Sequence, residues 1–312
     1  MTAPHRVLIA GTGAMACLVG ARLARAGTMV TLAGGWRQAI DAIAERGLRV
    51  HEPGESWSVR VTALPIDRLT ESYPLALVLV KSRQTASVAE VLARALDRNG
   101  VAVTIQNGLG NPESLAARLG AERVAAGIAV MGAVLIAPGE VRYVPGRIVL
   151  GSSPATAEGV AQLAALLDGA GIPTSIADDV VAAVWCKLAA NCALNPITAL
   201  YGVTNGALLA RSDLLPEVEA AAREVGMVAA AKGIRLERDA VQSTLETARA
   251  TAANRSSMLQ DLERGARTEI DALCGAVVRE GRRLGIATPA NAELFRRVRE
   301  REGRPLTREE QA

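Results

Sequence analysis

The sequence predicts a two-domain α/β chain, with an N-terminal doubly wound sheet of the Rossmann type followed by a mostly helical C-terminal domain. Three observations carry this expectation. A short apolar strand, Arg6-Val7-Leu8-Ile9-Ala10, runs straight into the turn Gly11-Thr12-Gly13-Ala14-Met15-Ala16 and then into helical spacing over Cys17–Ala24. Strand and helix patterns alternate from there to about residue 177. From Asp178 onward strand signals nearly vanish and long helical patterns take over. At 312 residues the chain is long for one core, so two domains are expected, 1–177 and 178–312. No linker rich in Pro, Gly or Ser separates them.

The first strand, turn and helix form the dinucleotide fingerprint in the context it needs. Gly11 permits the tight turn, and Gly13 lets backbone N–H groups approach a pyrophosphate. That anion would sit on the positive end of the helix, so Gly11, Thr12, Gly13, Ala14, Met15 and Ala16 are the candidate cofactor residues. Ala16 replaces the third glycine of the pattern, where the helix must only pack closely on its strand. The next strand, Val30-Thr31-Leu32, ends at Ala33-Gly34-Gly35-Trp36-Arg37. An NAD site places an Asp or Glu there to hold the ribose 2′-hydroxyl. None is present, and Arg37 is within reach of a 2′-phosphate that a guanidinium would bind bidentately. The expected cofactor is therefore NADP(H); the plain alternative is that Arg37 merely opens a solvated helix.

A helix is expected near 37–46 and short strands near 48–51 and 58–62. Leu75-Ala76-Leu77-Val78-Leu79-Val80 is apolar on both faces, as a buried parallel strand should be. A helix near 86–97 and a strand at 101–106 follow, then strands near 123–135, 140–144 and 147–150. A helix near 156–169 leads to a short strand at 173–176, and the whole reads as a doubly wound sheet with an antiparallel extension. The second domain is read as helices at 178–195, 214–232, 236–252, 257–264, 268–284 and 290–301. A cleft facing the carboxyl ends of the strands is the natural ligand site of such a fold.

Composition excludes several classes. A net charge of +3 over this length argues for neither nucleic acid nor a membrane surface. No uninterrupted apolar run reaches the roughly 18–20 residues that span a bilayer, and the first apolar run is the fingerprint strand itself. A cytoplasmic location is the expectation. Cys17, Cys186, Cys192 and Cys274 are scattered without a CxxC pair, so reduced buried thiols are expected, with no zinc site or other metal. The two histidines, His5 and His51, both lie in the N-terminal half, which removes histidine from any chemistry in the C-terminal half. None of Tyr73, Tyr143 and Tyr201 has a lysine four residues later. A reductase on this chain must draw its proton from some other group.

Three segments could supply chemistry. In Val184–Asn195 the polar residues Lys187, Asn191 and Asn195 recur at i, i+4 and i+8, one narrow stripe on an otherwise apolar helix. A solvated face would carry several charges of both signs, so a ligand-facing stripe is the better reading. Gln106-Asn107-Gly108 follows a buried strand at the edge of the expected crevice, which puts Asn107 near a nicotinamide, although Asn-Gly is equally an ordinary turn. Lys81 ends the preceding strand in the same way. In Asn254–Asp261 either Ser256 or Ser257 could cap a helix, leaving the other free for a ligand. Glu269 is expected to open the helix 268–284, where a carboxylate suits the helix dipole; motif logic leaves its role open.

At these residues the sequence resembles the ketopantoate reductase (2-dehydropantoate 2-reductase) family. The resemblance runs through nearly the whole chain. It rests on the N-terminal glycine turn, Gln106-Asn107-Gly108, Trp185-x-Lys187-Leu188-x-x-Asn191-x-x-x-Asn195-Pro196, Ser256–Asp261 and Thr268-Glu269-Ile270-Asp271. It implies a C-terminal domain like that of 6-phosphogluconate dehydrogenase, and NADPH-dependent reduction of ketopantoate to pantoate on the route to pantothenate and coenzyme A. It implies Lys187 as catalytic acid with Glu269 assisting. It places Asn107, Asn191, Asn195 and Ser257 on the substrate, and Lys81 beside the nicotinamide. A related 2-keto acid reductase and a silent NADP-binding regulator are the alternatives. The expected partners are a small 2-keto acid and, at most, a second copy in a homodimer, with no nucleic acid and no membrane. An apolar cleft would lower the pKa of Lys187 and Glu269 would oppose that, two effects the sequence alone does not rank.

Overall fold

A computed structural model describes residues 5–302. The chain divides into two compact units. One comprises the residues through Gln106 together with Asn111–Val180; the other comprises Asn107–Gly110 and the residues from Val181 onward.

In the first unit, in chain order, lie β1 (Arg6–Ala10), α1 (Ala14–Arg25), β2 (Met29–Gly34), α2 (Arg37–Arg46), β3 (Leu48–Glu52), β4 (Glu55–Val59), β5 (Thr62–Pro65), β6 (Tyr73–Val78), α3 (Thr85–Ala95), β7 (Leu96–Thr104), α4 (Asn111–Leu119), β8 (Val124–Ala137), β9 (Glu140–Gly151), α5 (Ala157–Gly169) and β10 (Thr174–Ala177). The sheet order is β4-β3-β9-β8-β7-β6-β1-β2-β5, with β10 on β9. Strands β5-β2-β1-β6-β7-β8 are all parallel. Ranked by their place in the chain they read 3-2-1-4-5-6, the dinucleotide-binding order, whose direction reverses between β1 and β6. The alternation of β1 shows why the sheet is wound on both faces. Val7 and Ile9 pack with α1 and α5, while Leu8 and Ala10 pack with α3 and α4. Residues apolar at every position satisfy both layers.

Several elements depart from the sequence reading. The single strand expected at 58–62 is two, because β4 turns back on β3 while β5 joins β2. The two strands expected at 140–144 and 147–150 are one, β9, in a hairpin with β8. Helix α4 follows the Gln106-Asn107-Gly108 loop, where no helix was expected. His51 lies between β4 and β9, its Nδ1 2.8 Å from Ser56 Oγ and its Nε2 2.6 Å from Glu140 Oε1.

The second unit is helical: α6 (Val180–Tyr201), α7 (Asn205–Leu209), α8 (Leu215–Ala231), α9 (Ala240–Ala250), α10 (Ser257–Glu263), α11 (Cys274–Leu284) and α12 (Pro289–Arg301). Its core gathers Leu188, Cys192 and Ile197 of α6 with Val218 and Val225 of α8, Val277 of α11 and Leu294 of α12. Helix α9 starts at Ala240 rather than near 236 because Asp239 caps it, accepting from the N–H groups of Val241 and Gln242. The buried carboxylate of Glu224 does the same for α12 from outside, accepting from the N–H groups of Ala290 and Asn291 at 2.8 and 2.9 Å.

Helix α6 was expected to stop before Pro196, yet it runs on to Tyr201. Proline removes the N–H that would bond the carbonyl of Cys192. That carbonyl instead lies 3.5 Å from the thiol of Cys274, which donates to it. The longer helix still holds no uninterrupted apolar run of bilayer length, being broken by Lys187, Asn191 and Asn195, although as a whole it is long and apolar. Its 22 residues have a window of mean hydropathy 1.4, enough by those measures to cross a bilayer. More than half of that window is buried inside the protein, so its apolarity is that of a core helix. All four cysteines are free, and burial pushes the Cys17 thiol up to about 12.

Candidate active site

The glycine turn of the first unit is built by contacts that leave no room for side chains. Gly11 has φ +139°, and a Cβ on it would meet the backbone carbon and oxygen of Leu79 at 3.0 Å. Its N–H donates to Ala33 O at 2.7 Å, and Leu79 N–H donates to Ala10 O at 2.8 Å, so the turn is clamped between β2 and β6. Only glycine combines that φ with so close an approach. Gly13 is the opposite case. It precedes the first residue of α1, is exposed, and has nothing within 4 Å of where a Cβ would stand. Open space thus faces the N-terminal N–H groups of α1, whose first turn contains no acid. This is the arrangement a pyrophosphate needs, and the residues fit a dinucleotide. Ala16 is fully buried, and the close packing expected of the third glycine falls to Gly20, whose Cβ would meet Leu32 Cδ1 at 3.0 Å.

Arg37 is the first residue of α2 and is exposed just beyond the end of β2. Lys81 follows β6 and is half-buried. Gln106, to which the sequence assigned no role, ties the ends of β6 and β7 to the start of α3. Its Nε2 donates to Val80 O at 2.7 Å and to Thr85 Oγ1 at 3.0 Å, and its Oε1 accepts from Thr104 Oγ1 at 2.8 Å. An amide directly after an apolar strand was the signal that could have found it.

In the second unit the stripe on α6 is present as geometry. Lys187, Asn191 and Asn195 are half-buried, whereas Trp185, Leu188, Ala189 and Cys192 between them are at most 3% exposed. Asn191 Nδ2 approaches Asn107 Oδ1 to 3.5 Å. Asn107 reaches it because Gly108, at φ +83°, lets its loop lie against Ala272, whose carbonyl accepts from the Leu109 N–H at 2.9 Å. A Cβ on Gly108 would come within 2.4 Å of that carbonyl.

Burial lowers Lys187 from 10.5 to about 8, and the negative charge of Glu269 holds it up against a larger fall. Of the two effects the sequence could not rank, desolvation is the larger. Glu269 is not the start of a helix, as expected, but part of a turn ahead of α11. Its carbonyl accepts from the N–H groups of Ala272 and Leu273, and regular helix begins only at Cys274. Packing of the 107–110 loop on Ala272 occupies the turn that the helix would have used.

Of the two adjacent serines, Ser256 caps α10. Its Oγ accepts from the Leu259 N–H at 3.1 Å and lies 2.8 Å from Thr198 Oγ1, and the side chain is buried. Ser257, the first residue of α10, is exposed. The structure therefore brings Lys187, Asn191, Asn107 and the charge of Glu269 together in one unit, with Asn195 on the same face of α6. Among the described residues, no group of three or more His, Cys, Asp or Glu could hold a metal ion.

Two family profiles match the chain. The one described as "Ketopantoate reductase PanE/ApbA" covers residues 7–155, and "Ketopantoate reductase PanE/ApbA C terminal" covers 179–302. A relative named 2-dehydropantoate 2-reductase from Halobacterium salinarum is 37% identical over 297 residues, covering 94% of this chain and 98% of the relative. Among solved structures, a PanE/ApbA family ketopantoate reductase from Ralstonia eutropha superposes with a TM-score of 0.87 at 34% identity, covering 95% of this chain and 98% of the other. A D-mandelate dehydrogenase solved with NADH and anilino(oxo)acetate shares the fold, with a TM-score of 0.88 at 23% identity over 95% of this chain and 98% of its own.

Proposed function

Because the chain belongs to the ketopantoate reductase family, we propose that it reduces the C2 ketone of 2-dehydropantoate to the alcohol of pantoate with NADPH as reductant. It would do so in the cytoplasm, on the route to pantothenate and coenzyme A. When bound, the reduced nicotinamide supplies a hydride to the carbonyl carbon. The turn Gly11–Ala16 would hold the pyrophosphate through backbone N–H groups, Arg37 the 2′-phosphate, and Lys81 and Asn107 the nicotinamide end.

The chemistry left to the side chains is charge and proton management. A carbonyl oxygen that gains a hydride's electrons becomes an alkoxide and needs one proton. Lys187 gives it, its Nζ passing a proton to that oxygen. An ammonium whose pKa is about 8 is still mostly protonated at neutral pH and yields its proton more readily than a free lysine. Glu269 keeps it charged between turnovers. The amides of Asn191 and Asn195 would bond the terminal hydroxyl of ketopantoate, and the exposed hydroxyl of Ser257 would donate to its carboxylate. The observation that carries this reading is the stripe itself, one lysine of lowered pKa with two amides in line on a helix whose intervening residues Leu188, Ala189 and Cys192 are buried.

The test is NADPH oxidation across a panel of 2-keto acids. Ketopantoate should exceed analogues lacking the terminal hydroxyl by a wide margin, because amides that expect a hydroxyl are left unpaired without it. Equal or better turnover of a hydroxyl-free acid identifies a broader 2-keto acid reductase. The shared fold with a D-mandelate dehydrogenase makes that the specific rival, since fold alone does not choose the substrate. Nucleotide binding without turnover of any keto acid would leave a regulator.

A further inference from the structure

At the end of β2, Gly34 is pressed onto the glycine turn. A Cβ built on it would stand 2.8 Å from Thr12 Oγ1, 3.0 Å from Thr12 Cγ2 and 3.3 Å from the Thr12 nitrogen. Both branches of the threonine crowd the same point, so turning its χ1 exchanges one clash for the other. Thr12 is 4% exposed, so its side chain does not swing out into solvent without a change in the surrounding structure. The backbone is held as well. Gly34 is in register with Pro65 on β5, and the Ala33 carbonyl beside it accepts from Gly11. The next residue, Gly35, is exposed and has nothing within 4 Å.

The end of the second strand is where an NAD-binding sheet carries the carboxylate that reads the ribose 2′-hydroxyl. We infer that Thr12 and Gly34 form a paired determinant of nucleotide choice: the threonine side chain fills the volume in which a residue-34 side chain would begin. The missing acid is then a consequence of packing, and selection passes to the guanidinium of Arg37. This rests on the NADP(H) reading above and extends it from a present arginine to an excluded carboxylate. The pair also dictates an order of change. An acid at position 34 is tolerated only after Thr12 has lost its branches.

The experiment compares the wild-type chain with Gly34→Asp, Thr12→Ala, the double variant and Gly35→Asp. The ligand-free melting temperature is measured for each, and NADP+ and NAD+ binding by titration calorimetry. Gly34→Asp should melt below wild type and bind both nucleotides more weakly. Thr12→Ala/Gly34→Asp should recover melting temperature relative to Gly34→Asp. Its NADP+ to NAD+ affinity ratio should fall by at least about tenfold, the size of one hydrogen bond to a charged group gained and one phosphate opposed. Gly35→Asp should melt as wild type does. A Gly34→Asp variant as stable as wild type overturns the proposal, as does a double variant no better folded than the single. So does a well-folded double variant whose ratio is unmoved, or a Gly35→Asp variant that shifts the ratio as far. Wild-type chain that binds NAD+ as tightly as NADP+ would instead overturn the coenzyme reading of Arg37 and the selective role with it, while the melting temperatures still decide the packing claim.

Discussion

The glycine turn and helix α6 are two candidate ligand surfaces built on opposite rules. The turn works by atoms it lacks. Gly11 passes Leu79 where no Cβ fits, Gly13 faces open space, and Gly34 lies on Thr12. In the proposed cofactor site recognition falls to backbone N–H groups, which every residue but proline carries, so identity at each position is set by what must be absent. The stripe on α6 works by atoms it has. An ammonium and two amides stand in line on a helix whose neighbouring residues Trp185, Leu188, Ala189 and Cys192 are buried, and in the proposed reaction it is those polar atoms that act. The first surface is damaged by addition and the second by removal. That difference in sign is what substitutions can test.

The largest effect is expected from removal. Lys187→Ala should lower kcat by about 10²–10⁴-fold, the range of a positioned general acid, while calorimetry still detects nucleotide binding in the first unit. A loss below tenfold would show that the proton comes from elsewhere. The same ammonium should write itself into the pH profile. Lys187 donates only when protonated, and its pKa is about 8. The free-enzyme kcat/KM for ketone reduction should therefore be level below that pH and fall above it, by about tenfold per pH unit at most. Glu269 raises the lysine's pKa, so Glu269→Gln should move the falling limb to lower pH. A limb that stays put in Glu269→Gln, or survives in Lys187→Ala, assigns it to another group.

Addition should act on the turn in two distinguishable ways. Gly11→Ala demands a positive φ of an L side chain and a clash with Leu79, so it should lower the melting temperature, at a cost of about 1–3 kcal/mol for the strained backbone alone. Gly13→Ala meets no protein atom, so it should melt like wild type yet raise the KM for the coenzyme by about tenfold. If Gly13→Ala binds normally, the open space before α1 is not where the pyrophosphate sits.

How much of this was legible in the sequence follows from the range of the contacts involved. Spacing is local, and a 3.6-residue repeat was enough to align Lys187, Asn191 and Asn195, just as strand, turn and helix in immediate succession were enough for Gly11–Ala16. Contacts between distant residues were not. Nothing near Pro196 says that a thiol 82 residues away meets the carbonyl that proline leaves bare, so the helix seemed to end there. Nothing near Glu269 says that Leu109 takes the carbonyl of Ala272 and that helix begins late in consequence. The absence of an acid at position 34 could be read, but its steric cause lies in Thr12, 22 residues earlier and on another element.

The smallest predicted effect separates two neighbouring serines that sequence logic could not tell apart. Ser256 is buried and caps α10 through Leu259, and its hydroxyl touches Thr198 on α6. Ser256→Ala should therefore cost about 0.5–2 kcal/mol of stability, seen as a lower melting temperature. Ser257 is exposed and the cap of α10 is its neighbour, so Ser257→Ala should leave the melting temperature alone and raise the KM for the keto acid. The two substitutions delete the same atom from adjacent residues, and only their partners differ. Should Ser257→Ala instead lower stability without touching KM, the hydroxyl belongs to the scaffold. Removal at that point would then resemble addition at Gly11, and the contrast between the two surfaces would not extend past α6.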